Sequence, residues 1–164
     1  MLVQLAWAAL GLIVVGGALL AHRSRTAYRA ALGALTLLFL PAGAGVHAWN
    51  LATDVTYSGF ADASWSSFVT DTWESLVAPH DWIFIGVLAV FEATVAVMVL
   101  VPGRPRRVAL VLVAAFHVAL VSFGWFFLVW VVPMVAALVL LLRAERRERL
   151  PEPPGPVALH AHHA

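Results

Sequence analysis

Cysteine is missing from this chain, and so is lysine. The first absence excludes disulfide exchange, thiolate nucleophiles, Cys-ligated zinc and iron–sulfur clusters. The second excludes lysine Schiff-base chemistry of the retinal type. Charge of either sign is scarce. Only 12% of residues are charged, about half the share of an ordinary soluble domain. The net charge of +1 offers no basic face, so no nucleic-acid partner is expected. HExxH and other zinc spacings within one helix are absent as well.

What the chain has instead is apolar length. Residues 2–21 form a run of about the 20 residues that a bilayer core demands, with Gly11, Gly16 and Gly17 inside it. No basic segment precedes this run and no small-x-small cleavage site follows it, so it is expected to be a retained helix rather than a signal peptide. A second run covers 28–50, interrupted by Pro41, Gly43 and Gly45, and a third covers 82–101. The apolar stretch from Val108 to Leu142 is about 35 residues, some 50 Å as one helix, against a bilayer core of about 30 Å. Ser122-Phe123-Gly124-Trp125 can turn it back, which divides it into spans at 108–122 and 125–142.

Charge segregation orients the spans. Arg23, Arg25, the Arg104-Pro105-Arg106-Arg107 turn and the Arg143–Arg149 tail are basic, whereas the 51–81 connection carries five acids and no arginine. Arginine-rich short loops stay cytoplasmic. Five spans, with the N-terminus outside and the C-terminus inside, satisfy all three basic segments; four spans would leave tail arginines outside. The expected fold is therefore an all-α, polytopic bundle of five spans (alternative four) in a bacterial inner membrane, one domain over 1–149. Its partners are the lipid bilayer and either other membrane subunits or further copies of itself. Residues 150–164 are proline-rich and end in His160, His162 and His163, the composition of a disordered cytoplasmic tail.

Within the 51–81 loop, Trp65, Phe68, Val69, Trp73, Leu76 and Val77 recur at three- and four-residue intervals. That spacing predicts an amphipathic interfacial helix ended by Pro79, with Asp71 and Glu74 facing water. Trp65, Trp73, Trp82, Trp125 and Trp130 are expected as interfacial anchors.

Glu92 is the residue that most invites chemistry. It lies roughly 15 Å into the third span, where a carboxylate costs about 2.5–3.5 kcal/mol on insertion scales. Such a residue either serves a site or glues helices together. His117 sits about five residues below the proposed turn, and His47 near the outer end of the second span with Asn50 on the same helix face. If the three helices are neighbours, an outward-facing pocket holds Glu92 and His117 as catalytic candidates. His47, Asn50 and His80 then become candidates for cofactor binding, with Tyr57 and Asp81 nearby. Two imidazoles and a carboxylate are also metal-ligand types, so His47, Glu92 and His117 form a candidate metal set. Two histidines alone suit a haem, and the same groups could relay protons. The cofactor thus stays open between a metal ion and a haem.

The run Gly43-Ala44-Gly45-Val46-His47, a polar loop, then Phe84–Glu92 and a further apolar run with an arginine turn resembles the DoxX-like family. The resemblance covers roughly residues 35–143. It implies a small helical bundle, in some members a subunit of a thiosulfate:quinone oxidoreductase, and Glu92 is the position it carries across. This chain departs from the family by an extra N-terminal span, a longer outer loop and the lack of the cysteines found in thiol-handling relatives. Three functions follow as expectations: an accessory or small-molecule-binding subunit linked to membrane redox chemistry, a scaffold subunit without chemistry, or a metal- or haem-dependent membrane enzyme.

Overall fold

The computed structural model describes residues 2–147, and helices and turns account for all regular structure among them. The tail at 150–164, with its three histidines, lies outside the described residues. Helix α1 (Leu2–Leu20) leads through a tight link to α2 (Arg25–Phe39). Ser24 caps α2, its hydroxyl accepting the Ala27 N–H at 3.2 Å. Tyr28, Ala31, Leu32, Leu35 and Leu38 then fall on one buried face at helical spacing.

Pro41 does not end this helix. It has no N–H for the ladder, and the chain widens into a π-turn, Leu40–Gly45, before continuing as α3 (Val46–Ala52). Trp7 of α1 donates its indole N–H to the Ala42 carbonyl within that turn at 2.8 Å.

After the loop, α4 (Ser67–Thr72) runs through a π-turn (Trp73–Val77) and a 3₁₀ turn (Ala78–His80) into α5 (Asp81–Leu100). This corrects the expected stop at Pro79: the proline sits in the first turn of the 3₁₀ segment, where its missing N–H is harmless. The helix therefore begins at Ser67 rather than Trp82, and the loop proper is shorter than 51–81. The expected apolar stripe is split, since Trp65, Phe68 and Leu76 are exposed while Val69, Trp73 and Val77 are half-buried.

Helix α6 (Arg104–Leu120) and helix α7 (Leu128–Arg147) are separated by two 3₁₀ turns around Gly124. Gly124 has φ +143°, a conformation open to glycine, and a Cβ there would lie 2.7 Å from the Ala63 carbonyl. The long C-terminal apolar stretch therefore folds back at the expected place, and α6 packs on α7.

Among the described residues, four helices are long and apolar enough to cross a membrane: 25–52, 67–100, 104–123 and 125–146. Helix α1 is apolar as well, over the shorter stretch Gln4–Leu20. The outer surface of the bundle is apolar too, with Leu12 73% and Val129 77% exposed. A soluble monomer rarely presents such a surface.

The two ends of the bundle differ. Val14, Ala18, Leu35, Val95, Val99, Leu110, Val113, Met134, Leu138 and Leu141 close-pack a core in the half nearest the arginine links. That end is pinned by a buried polar knot. Glu145 of α7 accepts from Tyr28 of α2, from the Gly103 N–H at 3.1 Å, and from the Arg106 guanidinium at 3.1 Å. Arg106 also donates to the Val99 and Leu100 carbonyls at the end of α5. One carboxylate thus ties α2, α7 and the α5–α6 turn together. The half nearest the acidic loop is not filled in this way, and it contains a cavity.

Candidate functional site

The cavity encloses ≈ 300 Å³, at the lower end of the size range of small-molecule sites. Its walls come from α1, the π-turn, α3, α5, α6 and the loop, and they are dominated by aromatic rings. Phe60 and Trp73 of the 53–77 region meet Phe123 of the α6–α7 turn edge to face, the three centroids 4.9–5.3 Å apart, and form a roof. The loop is tied down over that turn by Ser64, whose hydroxyl donates to the Ser122 carbonyl at 2.7 Å, and by Trp73, whose indole donates to the Tyr57 carbonyl at 2.8 Å. Only a few polar side chains enter this apolar space: Glu92, His47, His117 and Tyr57.

Glu92 projects from the middle of α5 and is 6% exposed. Its carboxylate lies directly against Gly43 in the π-turn, where a Cβ would sit 2.8 Å from Oε2 and 2.9 Å from Oε1. The glycine is what lets the carboxylate fit between α2 and α5. Oε2 is buried and has no hydrogen-bond partner. His47 Nε2 stands 3.7 Å away, an ion-pair distance but longer than a hydrogen bond.

A polar line continues from there toward the loop. His47 Nδ1 is 2.8 Å from the Tyr57 hydroxyl, and Asn50 Nδ2 donates to that hydroxyl at 3.3 Å. Burial holds the Tyr57 phenol above its ordinary pKa, so it keeps its single proton at neutral pH. The Tyr57 hydroxyl can give that proton to His47 Nδ1 while it accepts from Asn50. In this arrangement His47 is the Nε2–H tautomer, with its N–H turned toward Glu92.

His117 lines the same cavity and is 2% exposed, packed between Phe39 and Phe116 at centroid distances of 5.9 Å. Its Nδ1 is paired with the Val113 carbonyl at 2.8 Å. The cavity therefore brings together His47, Glu92 and His117, while Asn50 acts one contact behind, through Tyr57. His80 does not join them: it is exposed and paired with Leu76 O of its own helix at 3.0 Å, because the helix continues through Pro79. Asp81 is not among the lining residues.

The three proposed metal ligands share a cavity without forming a ligand set. Among the described residues, no three His, Asp or Glu side chains converge as a metal ion requires. His117 is wedged by aromatic rings on α2 and α6. Of the tryptophans expected at the interface, Trp65, Trp82 and Trp125 are exposed, but Trp73 and Trp130 line the cavity, as does Trp7. Asp71 is exposed as expected, whereas Glu74 is half-buried and accepts the Gly59 N–H at 2.8 Å.

No protein-family model, curated protein or solved structure matches the chain.

The sequence marks Gly43 as an interruption of the second span but not as the neighbour of Glu92, and it does not relate Tyr28, Arg106 and Glu145 to one another. The Gly-Ala-Gly run after Pro41 marks a close backbone approach, but not which side chain approaches. Glu145 stands 117 residues from Tyr28, and no local spacing relates the two.

Chemically, the cavity suits a planar, largely apolar molecule with one or two hydrogen-bonding oxygens. Aromatic walls supply area, the unpaired Glu92 oxygen accepts an O–H, and His47 Nε2–H donates to a carbonyl.

Proposed function

We propose that this chain is a small-molecule-binding membrane protein whose cavity takes a quinone- or quinol-like ring. The observation that carries the proposal is the Glu92 oxygen, buried without a partner in an aromatic-lined cavity. An unpaired buried acceptor is costly, and a ligand hydroxyl would satisfy it. Glu92 is the hydrogen-bond acceptor in this account, His47 the donor beside it, and His117 part of the wall facing the ring. Tyr57 and Asn50 position His47. The chain acts as a binding or accessory subunit of membrane redox chemistry in the bacterial inner membrane, working with other membrane subunits. Membership of the DoxX-like family belongs to the same proposal and rests on the Gly43–His47 and Phe84–Glu92 segments.

Photolysis of an azido-benzoquinone bound in lipid nanodiscs, followed by peptide mapping, tests the site. Adducts on Phe39, Phe116 or Trp73 that unlabelled quinone suppresses are expected. Adducts confined to outer residues such as Val129 and Leu12 would overturn the assignment.

The accompanying topology has five crossings, α1 included, with the acidic loop outside and the arginine links inside. The arginine bias supports it, as does the packing of α1 on α2 and α7. Because the chain has no cysteine, single cysteines report cleanly. With Gln4→Cys and Ser58→Cys, an impermeant maleimide should label intact cells, and with Arg104→Cys only permeabilised ones. Protection of Gln4→Cys in intact cells would reduce the count to four.

A further inference from the structure

A second apolar space lies on the membrane-facing side of the bundle, between α1 and α7. It encloses ≈ 310 Å³ and is lined by Ala8, Gly11, Leu12 and Val15 from one helix and Val129, Trp130, Pro133 and Met134 from the other. No side chain in its lining carries a charge. Leu12 and Val129, which flank it, are among the most exposed large residues of the molecule, so the groove opens outward, away from the packed core. Trp130 is the one residue that lines both this groove and the cavity of Glu92.

The indole is therefore the partition between the two spaces. Its ring lies on the bare backbone of Gly11, where a Cβ would fall 2.3 Å from the ring edge. One turn further along α7, Pro133 lacks the N–H that would bond the Val129 carbonyl, so the turn carrying Trp130 has one hydrogen bond fewer than an ordinary helix.

We infer that the α1–α7 groove is the subsite for an aliphatic tail borne by the molecule whose ring occupies the cavity, with Trp130 as the wall the tail passes. This rests on the proposed function and narrows its ligand class to lipid-soluble, tailed rings that arrive from the bilayer. A ring confined to ≈ 300 Å³ leaves a long tail no room inside the cavity, and the adjoining space is apolar and open to lipid. The wall shared by the two spaces, Trp130, favours the ligand's own tail over a separate lipid.

The test compares a tail-less benzoquinone with the same ring carrying a decyl chain, both titrated into nanodiscs of fixed composition. Using one composition cancels the partitioning of the tail into lipid. Ala8→Phe fills the groove from an exposed position on α1 and leaves the cavity untouched; Leu12→Trp is a second, independent block. Both variants should bind the tail-less ring as the wild type does and bind the decyl compound about tenfold more weakly, a difference of roughly 1.4 kcal/mol. Equal affinity of blocked and wild-type protein for the decyl compound overturns the tail subsite alone. Failure of wild-type protein to bind the tail-less ring overturns the cavity assignment beneath it.

Discussion

Glu145→Ala lowers the unfolding free energy of the bundle by about 3 kcal/mol, the lower end of the cost of breaking a buried ion pair, because the Arg106 left behind is only half-buried. Glu145 is 3% exposed. It is the common acceptor for Tyr28, Arg106 and the Gly103 backbone N–H. Without it the Arg106 guanidinium, which also lies over the Tyr28 ring at 5.9 Å, keeps its bonds to the Val99 and Leu100 carbonyls but loses its counter-charge. Tyr28→Phe removes one hydrogen bond and leaves the ion pair, so its loss is smaller, about 1–3 kcal/mol. Arg29→Gln, on an exposed position of the same helix, should stay within about 0.5 kcal/mol of wild type. Reversible unfolding in detergent, followed by circular dichroism, checks the ranking. A loss below about 1 kcal/mol for Glu145→Ala would mean that the knot is solvated in the folded state.

Gly43→Leu strongly weakens ligand binding while the helices remain assembled. The carboxylate of Glu92 already fills the space a Cβ would need, so a branched side chain drives it off its position and occupies part of the cavity itself. Overpacking of this kind costs about 1–3 kcal/mol of stability, which a bundle with an intact core at its other end can absorb. The affinity loss should reach about a hundredfold, or 2.8 kcal/mol. Gly43→Ala, which displaces the flexible end of Glu92 by less, should fall between. Titration with a short-tailed quinone checks the series, with circular dichroism reporting the fold. Wild-type affinity in Gly43→Leu would place the ligand elsewhere.

The helical passes were legible because they depend on local composition: apolar length, arginine links, and the need to fold back a stretch too long for one crossing. Gly124 marked the reversal for a physical reason, its left-handed backbone. Helix ends governed by proline were less legible. Pro41 and Pro79 are both absorbed by widened or tightened turns, a choice that depends on neighbours such as Trp7 and not on the proline alone. The depth of Glu92, His47 and His117 could be counted from the sequence, and these residues do share a cavity. Their chemistry could not be read, because it depends on which partner each nitrogen already has. His47 is turned by Tyr57 across the loop, and His117 by its own helix. His80 was misjudged because the helix was expected to start at Trp82. The Glu145 knot stayed hidden among tail arginines, where a carboxylate reads as solvated charge.

Removing the Glu92 carboxylate tests the account most directly, because a helix-gluing role and a ligand-binding role predict opposite results. Glu92→Leu should fold with wild-type stability or better, since the Oε2 it removes has no hydrogen-bond partner to orphan. Its affinity for a short-tailed benzoquinone, measured by equilibrium titration in nanodiscs, should fall at least tenfold, about 1.4 kcal/mol, from a saturable wild-type site. Unchanged affinity together with a large loss of stability would contradict the account and make Glu92 a structural tie between helices.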